Sequence, residues 1–265
     1  MSVTVVIPAR YASTRYPGKP LVELTGATGQ ARSLIRRSWD AAMEASGVDR
    51  VVVATDDSRI AEHATGFGAE VVMTPETCRN GTERCAAALD PLGLGEDAIV
   101  VNLQGDAPLT PPWFVEALVD AMANGAEVAT PVLRLDAPSL ASFKDDRAAG
   151  RVGGTTAVFD RARRALYFSK EVIPYTGRDF TEDEQIPVFH HVGVYAYRGA
   201  ALAAYAGWDE GHLERWEGLE QLRFMEHGTP VTCVEVSAKG RAFWELNNPV
   251  DVPRIEAILK AQGQA

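Results

Sequence analysis

The 265 residues carry a formal charge of −10, which argues against a nucleic-acid or membrane-surface partner, because such binding rests on Lys and Arg against phosphate. A hydrophobic share of 46% and a charged share of 23% are those of a globular chain able to hide roughly three quarters of its unfolded surface. Cys78, Cys85 and Cys233 are odd in number and form no C-x-x-C pair; with no apolar run near the roughly 20 residues of a membrane span and no signal-peptide pattern, a reduced, cytoplasmic, soluble protein is expected.

The chain opens on Val3-Thr4-Val5-Val6-Ile7, a β-branched apolar run expected to form a strand buried on both faces of a parallel sheet. Pro8, with no N–H to give, is expected to stop its ladder. Next comes a small, turn-rich loop with Arg10, Arg15 and Lys19 and no acidic residue before Glu23. Ligands bind beyond the carboxyl ends of strands in open α/β sheets, so this local cationic pocket in an acidic protein predicts a small anionic ligand. It is not a Walker loop, since Gly18-Lys19 is followed by Pro20, and the chain has no G-x-G-x-x-G. A solvated basic loop is the alternative.

Further along, Leu34 to Ala45 has helical spacing, Val51 to Ala54 is a buried strand, and Thr55-Asp56-Asp57-Ser58 leads into a helix from Arg59 to Thr65. Glu70 to Met73 reads as a short strand. Asn80-Gly81 is a strong turn signal ahead of a helix from Thr82 to Leu89. Ala98 to Leu103 is the strongest later strand and runs straight into Gln104-Gly105-Asp106. Asp106 is thus a carboxylate at a second strand end, suited to Mg²⁺, a hard ion that prefers carboxylate and phosphate oxygens. A capping Asp at a tight turn is the alternative. Pro111-Pro112 opens a helix through Met122.

Alternating strands and helices imply right-handed βαβ crossovers and an α/β fold: a mostly parallel, Rossmann-like nucleotide-binding sheet flanked by helices. In the second half, Thr155 to Phe159 and His191 to Tyr197 read as strands of another layer, Leu213 to Glu226 as a helix, Val231 to Val236 as a strand and Val252 to Lys260 as the closing helix. Residues from roughly 135 to 205 read as a β-rich insertion carrying part of the site, in what is otherwise one domain. Adjacent His190 and His191 on a strand point to opposite faces and make a poor metal pair. Glu220 and Gln221 fit either sugar hydroxyls or a helix surface. No G-x-S-x-G marks a serine hydrolase.

Taken together and in order, IPARYASTRYPGKPL, VVVATDD, NGTER, VNLQGDAP, ALYFSKEVIPY, HHVGVYAYR and LEQLR resemble the 3-deoxy-manno-octulosonate (KDO) cytidylyltransferases over nearly the whole chain. The resemblance implies a Mg²⁺-dependent enzyme of lipopolysaccharide biosynthesis that joins CMP from CTP to a keto-deoxy sugar acid, releasing pyrophosphate. Ala9, Arg10 and Ser13 would border the nucleotide, and Arg15 and Lys19 would hold the triphosphate. Asn80, Gly81, Thr82 and Arg84 would serve the cytosine and ribose side. Gln104, His191, Tyr195, Glu220 and Gln221 would serve the sugar acid, and Asp106 would bind metal. The inserted region would help to build a homodimer. Two departures bear on this. Asn247 stands where the family has a second metal-binding Asp, and Arg151-Val152-Gly153-Gly154-Thr155-Thr156 replaces a segment that carries a lysine in the family. A different or amino-modified sugar acid, or a catalytically silent nucleotide-binding homologue, are the competing readings.

Overall fold

The apolar runs pair into one ten-stranded sheet, and the helices between them cover both of its faces. The computed structural model describes residues 2–12, 16–152, 154–181, 183–242, 245–246 and 248–264. Strand β1 (Val3–Ala9) leads through one 3-10 turn (Lys19–Leu21) to a small hairpin, β2 (Glu23–Thr25) and β3 (Ala31–Ser33). Then follow α1 (Leu34–Met43), β4 (Arg50–Thr55), α2 (Ser58–Gly66), β5 (Glu70–Met73), α3 (Gly81–Ala87) and α4 (Leu89–Leu92). The first half ends with β6 (Ile99–Leu103), α5 (Pro112–Ala123) and β7 (Val128–Arg134). The second half holds α6 (Ala137–Ala148), β8 (Thr155–Phe159), β9 (Ala165–Ser169), β10 (Phe189–His191) and β11 (Val194–Arg198). It closes with α7 (Gly199–Ala206), α8 (His212–Glu217), α9 (Leu222–Glu226), β12 (Val231–Val236) and α10 (Val252–Ala261).

The sheet order is β5-β4-β1-β6-β11-β7-β10-β8-β9, with β12 on the other edge of β7. Strands β5, β4, β1, β6, β7, β12 and β8 run one way, and β11, β10 and β9 oppose them. The expected mostly parallel sheet is therefore present, with its nucleotide-type half β5-β4-β1-β6 wholly parallel. Along β1, Val5 and Ile7 join α1, α2 and α5 in one core, while Val6 joins α3, α4 and α7 in the other. This is the two-sided burial that a continuous apolar strand signals. Helices start where the sequence offers caps: Ser33, Asp57, Asn80 and Asp136 each accept a backbone N–H in the first turn of their helix.

Several sequence expectations change. Pro8 does not end β1, which continues to Ala9 with Pro8 opposite Ala54; the ladder to β6 stops at Val6, and a proline is tolerated where one side needs no partner. The strands at 155–159 and 191–197 form no separate layer. They join the same sheet, and the second divides into β10 and β11 around Val192-Gly193. Strand β11 sits beside β6 at the centre, whereas β10, β8 and β9 extend the sheet beyond β7. There Cys233 N donates to Arg163 O at 2.8 Å, and Arg164 bridges Thr232, so the far end curls back onto β12. The expected helix over 213–226 is two short helices, broken at Gly218, whose φ of 62° caps α8 in the left-handed region.

Gly199 opens α7 where a Cβ would overlap the Gly95 carbonyl oxygen. Backbone cannot move aside as a flexible side chain can, so Gly199→Ala should destabilise the fold by about 1–3 kcal/mol, the usual range for overpacking. The urea midpoint of the variant, with an unchanged m-value, is the measurement.

Candidate active site

Because β1 pairs in parallel with β6, with Val6 opposite Asn102, both strands deliver their following turns to the same edge of the sheet. The turn after β6 is pinned from three directions. Ala107 N bonds back to Gln104 O at 3.1 Å, Ser38 Oγ donates to Gly105 O at 3.2 Å, and Leu246 N donates to Asp106 O at 2.9 Å. Gly105 is required there, since a Cβ would come within 2.9 Å of the Pro8 carbonyl oxygen. From the other side, Gly18 at φ 70° starts the 3-10 turn that returns Lys19 to the mouth of the two strands. Lys19 Nζ lies 2.6 Å from Asp106 Oδ2, with side-chain exposures of 13% and 27%.

Around this pair lies a cavity of about 230 Å³ lined by Ala9, Arg10, Lys19, Asn80, Gly81, Arg84, Gln104 and Asp106, together with Cys78 and Arg79. Asn80 caps α3 by accepting from Glu83 N at 2.8 Å and donates to Tyr205 OH at 3.2 Å. A Cβ on Gly81 would stand 2.6 Å from Gln104 Nε2, so the start of α3 is pressed against the end of β6. Arg84 is buried, with its guanidinium bound to Thr74 Oγ1 at 2.6 Å and Asp56 Oδ2 at 2.8 Å. It lines the cavity while holding the carboxyl end of β4 to α3. Thr82 is also buried; its hydroxyl is 2.8 Å from Tyr197 OH.

Glu220 stands one bond behind Gln104. It accepts from Thr82 N at 3.0 Å and from Gln104 Nε2 at 3.4 Å. Burial pushes its carboxyl up from the ordinary range, against the Thr82 N–H that favours the charged form. Deeper still, Tyr195 OH donates to Gln221 Oε1 at 3.0 Å, and Gln221 Nε2 and Asn102 Oδ1 are buried without a partner among the described residues. His191 Nε2 lies 3.0 Å from Thr130 Oγ1, whose hydroxyl donates to the Val194 carbonyl at 2.9 Å. The proton of that neutral ring therefore sits on Nε2. The structure thus gathers Ala9, Arg10, Lys19, Asn80, Gly81, Arg84, Gln104 and Asp106 in one cavity, with Thr82 and Glu220 behind its wall, hydrogen-bonded to each other. It places His191, Tyr195 and Gln221 in the polar interior behind that wall. Ser13, Arg15 and Asn247 lie outside the described residues.

The sequence model of the cytidylyltransferase family matches residues 4–235. A 3-deoxy-manno-octulosonate cytidylyltransferase of Maricaulis maris is 43% identical over 100% of this chain and 99% of that protein. The chain belongs to the 3-deoxy-manno-octulosonate cytidylyltransferase family. An 8-amino-3,8-dideoxy-manno-octulosonate cytidylyltransferase of Shewanella pealeana is 38% identical over 98% of this chain and 99% of that protein. A solved CMP:2-keto-3-deoxy-manno-octonic acid synthetase complexed with CTP superimposes with a TM-score of 0.82 at 32% identity, covering 99% of this chain and 100% of that one. A 4-diphosphocytidyl-2C-methyl-D-erythritol synthase, at TM-score 0.60 and 13% identity over 97% of this chain and 99% of that one, shares the fold.

Against this KDO-cytidylyltransferase frame, sequence reasoning passed over the charges that tie the site together. Arg223, the last residue of LEQLR, is 1% exposed and grips Glu214 with two hydrogen bonds, 2.6 and 2.7 Å, and Glu83 with two more of 3.2 Å. Its one available signal was an Arg among apolar neighbours, Leu222 and Phe224, in a segment read for its Glu and Gln alone. Cys78 and Arg79 also line the cavity, and Arg79, just ahead of the Asn80-Gly81 turn, is bonded to Glu83.

Burial pushes the His191 imidazole down from 6.5 to about 3, with neighbouring His190 adding to the effect. The unfolded chain takes up a proton below about pH 6.5 that the folded one refuses, so stability is lost as pH falls from there toward about 3. This group contributes a slope of up to about 1.4 kcal/mol per pH unit. His191→Gln should flatten the fall in urea midpoint between about pH 6.5 and pH 5 by one proton's worth.

Proposed function

We propose that this protein transfers CMP from CTP to the anomeric hydroxyl of KDO and releases pyrophosphate. One observation carries the reading: Lys19 and Asp106 meet at the carboxyl ends of adjacent parallel strands, inside a cavity rimmed by Arg10 and the N-terminal turn of α3. Full-length similarity to KDO cytidylyltransferases supports the acceptor. The hydroxyl attacks the α-phosphorus in line with the departing pyrophosphate, and little covalent work falls to the protein. Arg10 and Lys19 supply charge to the phosphate oxygens, with Arg15 and Ser13 from the same loop assigned with them. Ala9, Asn80, Gly81 and Thr82 shape the wall for base and ribose, and Arg84 holds that wall through Asp56. Gln104 and Glu220 face the acceptor, with His191, Tyr195 and Gln221 supporting that side.

The donor chemistry fits Mg²⁺. Asp106 offers one partly exposed carboxylate, and no cluster of three metal-ligating side chains occurs among the described residues. That suits an ion which keeps its waters and takes one or two carboxylates plus substrate phosphates. Asp106 would hold it, and Asn247 is the second candidate, its neighbour Leu246 being bonded to Asp106 O. Bound there, Mg²⁺ would supply neutralisation of phosphate charge and a lower pKa for the attacking hydroxyl. We also read the chain as a cytoplasmic homodimer, with the region near 135–205 serving sugar binding and dimerisation. Leu166 and Tyr175, 61% and 93% exposed, support an apolar contact there. A second acceptor reading, an 8-amino-modified sugar acid, is favoured by the Shewanella pealeana relative.

Pyrophosphate release from CTP with Mg²⁺ and a panel of keto-deoxy sugar acids tests this. KDO should give the highest kcat/KM; turnover only with an amino-modified acid selects the second reading, and CTP binding without turnover on any acid removes both. Asp106→Asn should lower kcat by about 100-fold or more while the Kd for CTP weakens by less than about tenfold. Lys19→Met should weaken CTP binding itself, read by titration calorimetry in the absence of acceptor.

A further inference from the structure

The nucleotide side of the site begins α3, and the acceptor side proposed above runs into α9. These stretches are far apart in sequence, and Glu83 and Arg223 are separated by 140 positions. Helices α8 and α9 have six and five residues, too short to hold their place by helix propensity. Glu220 spans the gap, with one carboxylate oxygen on Thr82 N and the other near Gln104 Nε2. Something must fix the turn that carries Glu220.

We propose that Arg223 is a positioning residue for the transfer, clamping Glu83 of the nucleotide wall and Glu214 of the acceptor wall on one guanidinium, and so setting the distance across which the two substrates meet. The inference rests on the proposed activity. Arg223 donates from Nε and Nη2 to the two oxygens of Glu214 and from both terminal nitrogens to Glu83 Oε1. Its plane lies 4.2 Å from the Tyr205 ring centroid, and Nη1 also reaches Trp208 O at 3.4 Å. Glu83 is held in turn by Arg79, through N at 2.7 Å and Nη2 at 2.7 Å. Tyr205 OH closes the set, lying 3.2 Å from Asn80 Nδ2, 3.4 Å from Glu214 Oε1 and 3.3 Å from the Glu220 carbonyl. A buried ion cluster is weak evidence for stability, since well-packed apolar side chains often serve as well or better. What a planar fork gives is direction: two carboxylates fixed in plane, on two segments, by one rigid group.

The test is Glu83→Gln, which removes one anchor and keeps a side chain of the same size. For the full-length protein, kcat for pyrophosphate release should fall about tenfold or more, because misplacement of reacting groups by about 1 Å can cost about 100-fold. The Kd for CTP, measured without acceptor, should stay within about threefold, which separates placement from binding. The Thr82 amide, which donates to Glu220, should exchange with deuterated water about tenfold faster. Glu235→Gln cuts ion pairs to Arg134 and Arg163 at the far end of the sheet and should shift Tm without either effect. If the wild-type protein turns over and Glu83→Gln keeps its kcat, the clamp is structural only and the inference falls. If the wild-type protein turns over no sugar acid, the functional reading falls instead, and Thr82 exchange alone decides whether the clamp sets the wall: unchanged exchange overturns it. Should Glu83→Gln not fold, Arg223→Lys, which keeps the charge and loses the fork, is read by the same measurements.

Discussion

An ammonium and a carboxylate in contact at the exit of two neighbouring strands set the terms for everything around them. Lys19 and Asp106 come together because β1 and β6 are hydrogen-bonded in parallel, Gly18 starts the 3-10 turn that brings Lys19 in, and Gly105 lets the turn after β6 pass the Pro8 carbonyl. A partly exposed pair of this kind contributes little to stability, roughly 0–1 kcal/mol at best. Its value lies in what each partner can exchange for. On the proposed reading, phosphate oxygens would replace Asp106 around Lys19 and a cation would replace Lys19 on Asp106, so that a metal-bound polyphosphate would meet both charges without leaving either uncompensated. Until then each group shields the other.

The same economy of charge runs through an acidic chain. With a net charge of −10, the protein repels diffuse anions, and attraction must be local. Many of the nearby arginines are already committed: Arg84 to Asp56, Arg59 to Asp57 and across the Tyr11 ring, Arg223 to Glu214 and Glu83. These pairs orient walls, and Arg10 at the exposed end of β1 is left on the rim. Burial also governs the uncharged side of the site. It raises Tyr195 and Tyr197 and lowers His191, so these groups behind Gln104 are neutral donors and acceptors near neutrality, and it raises the Glu220 carboxyl as well. Neutral groups suit hydroxyl recognition, whereas the cationic rim suits phosphate.

The parallel half of the sheet was legible because its strands are uninterrupted β-branched runs, and the turns after β1 and β6 were legible because charge follows such runs at once. Pro8 misled because a proline is judged by the ladders it interrupts, and whether β6 still pairs beside it is a long-range fact. The second half misled for two local reasons. Gly193 between two alternating stretches hid the division of β10 from β11, and Gly218 inside a helical pattern hid the gap between α8 and α9. Membership of one sheet could not be read either, since β11 lies beside β6 across roughly ninety residues of chain, a closure that no short-range pattern encodes. Arg223 was illegible for the same reason: its carboxylates come from two other segments, one of them 140 positions away.

This difference in legibility corresponds to a difference in construction. The nucleotide wall is made of strand-to-helix turns: the exit of β1, the cap of α3 and the turn after β6, each fixed by contacts to neighbours in the parallel sheet. The acceptor wall is made of short helices and a polar interior assembled from β11, α7, α8 and α9, and joined to the first wall through Glu83, Arg223 and Glu220. On that proposed assignment, a change in the second wall would alter which sugar acid is accepted while the phosphate cradle stays as it is. Relatives named for an unmodified and for an 8-amino sugar acid, 43% and 38% identical to this chain, are what that separation allows. On the proposed assignment, nucleotide chemistry follows from the parallel half of the sheet, and acceptor choice from side chains that only tertiary folding brings together.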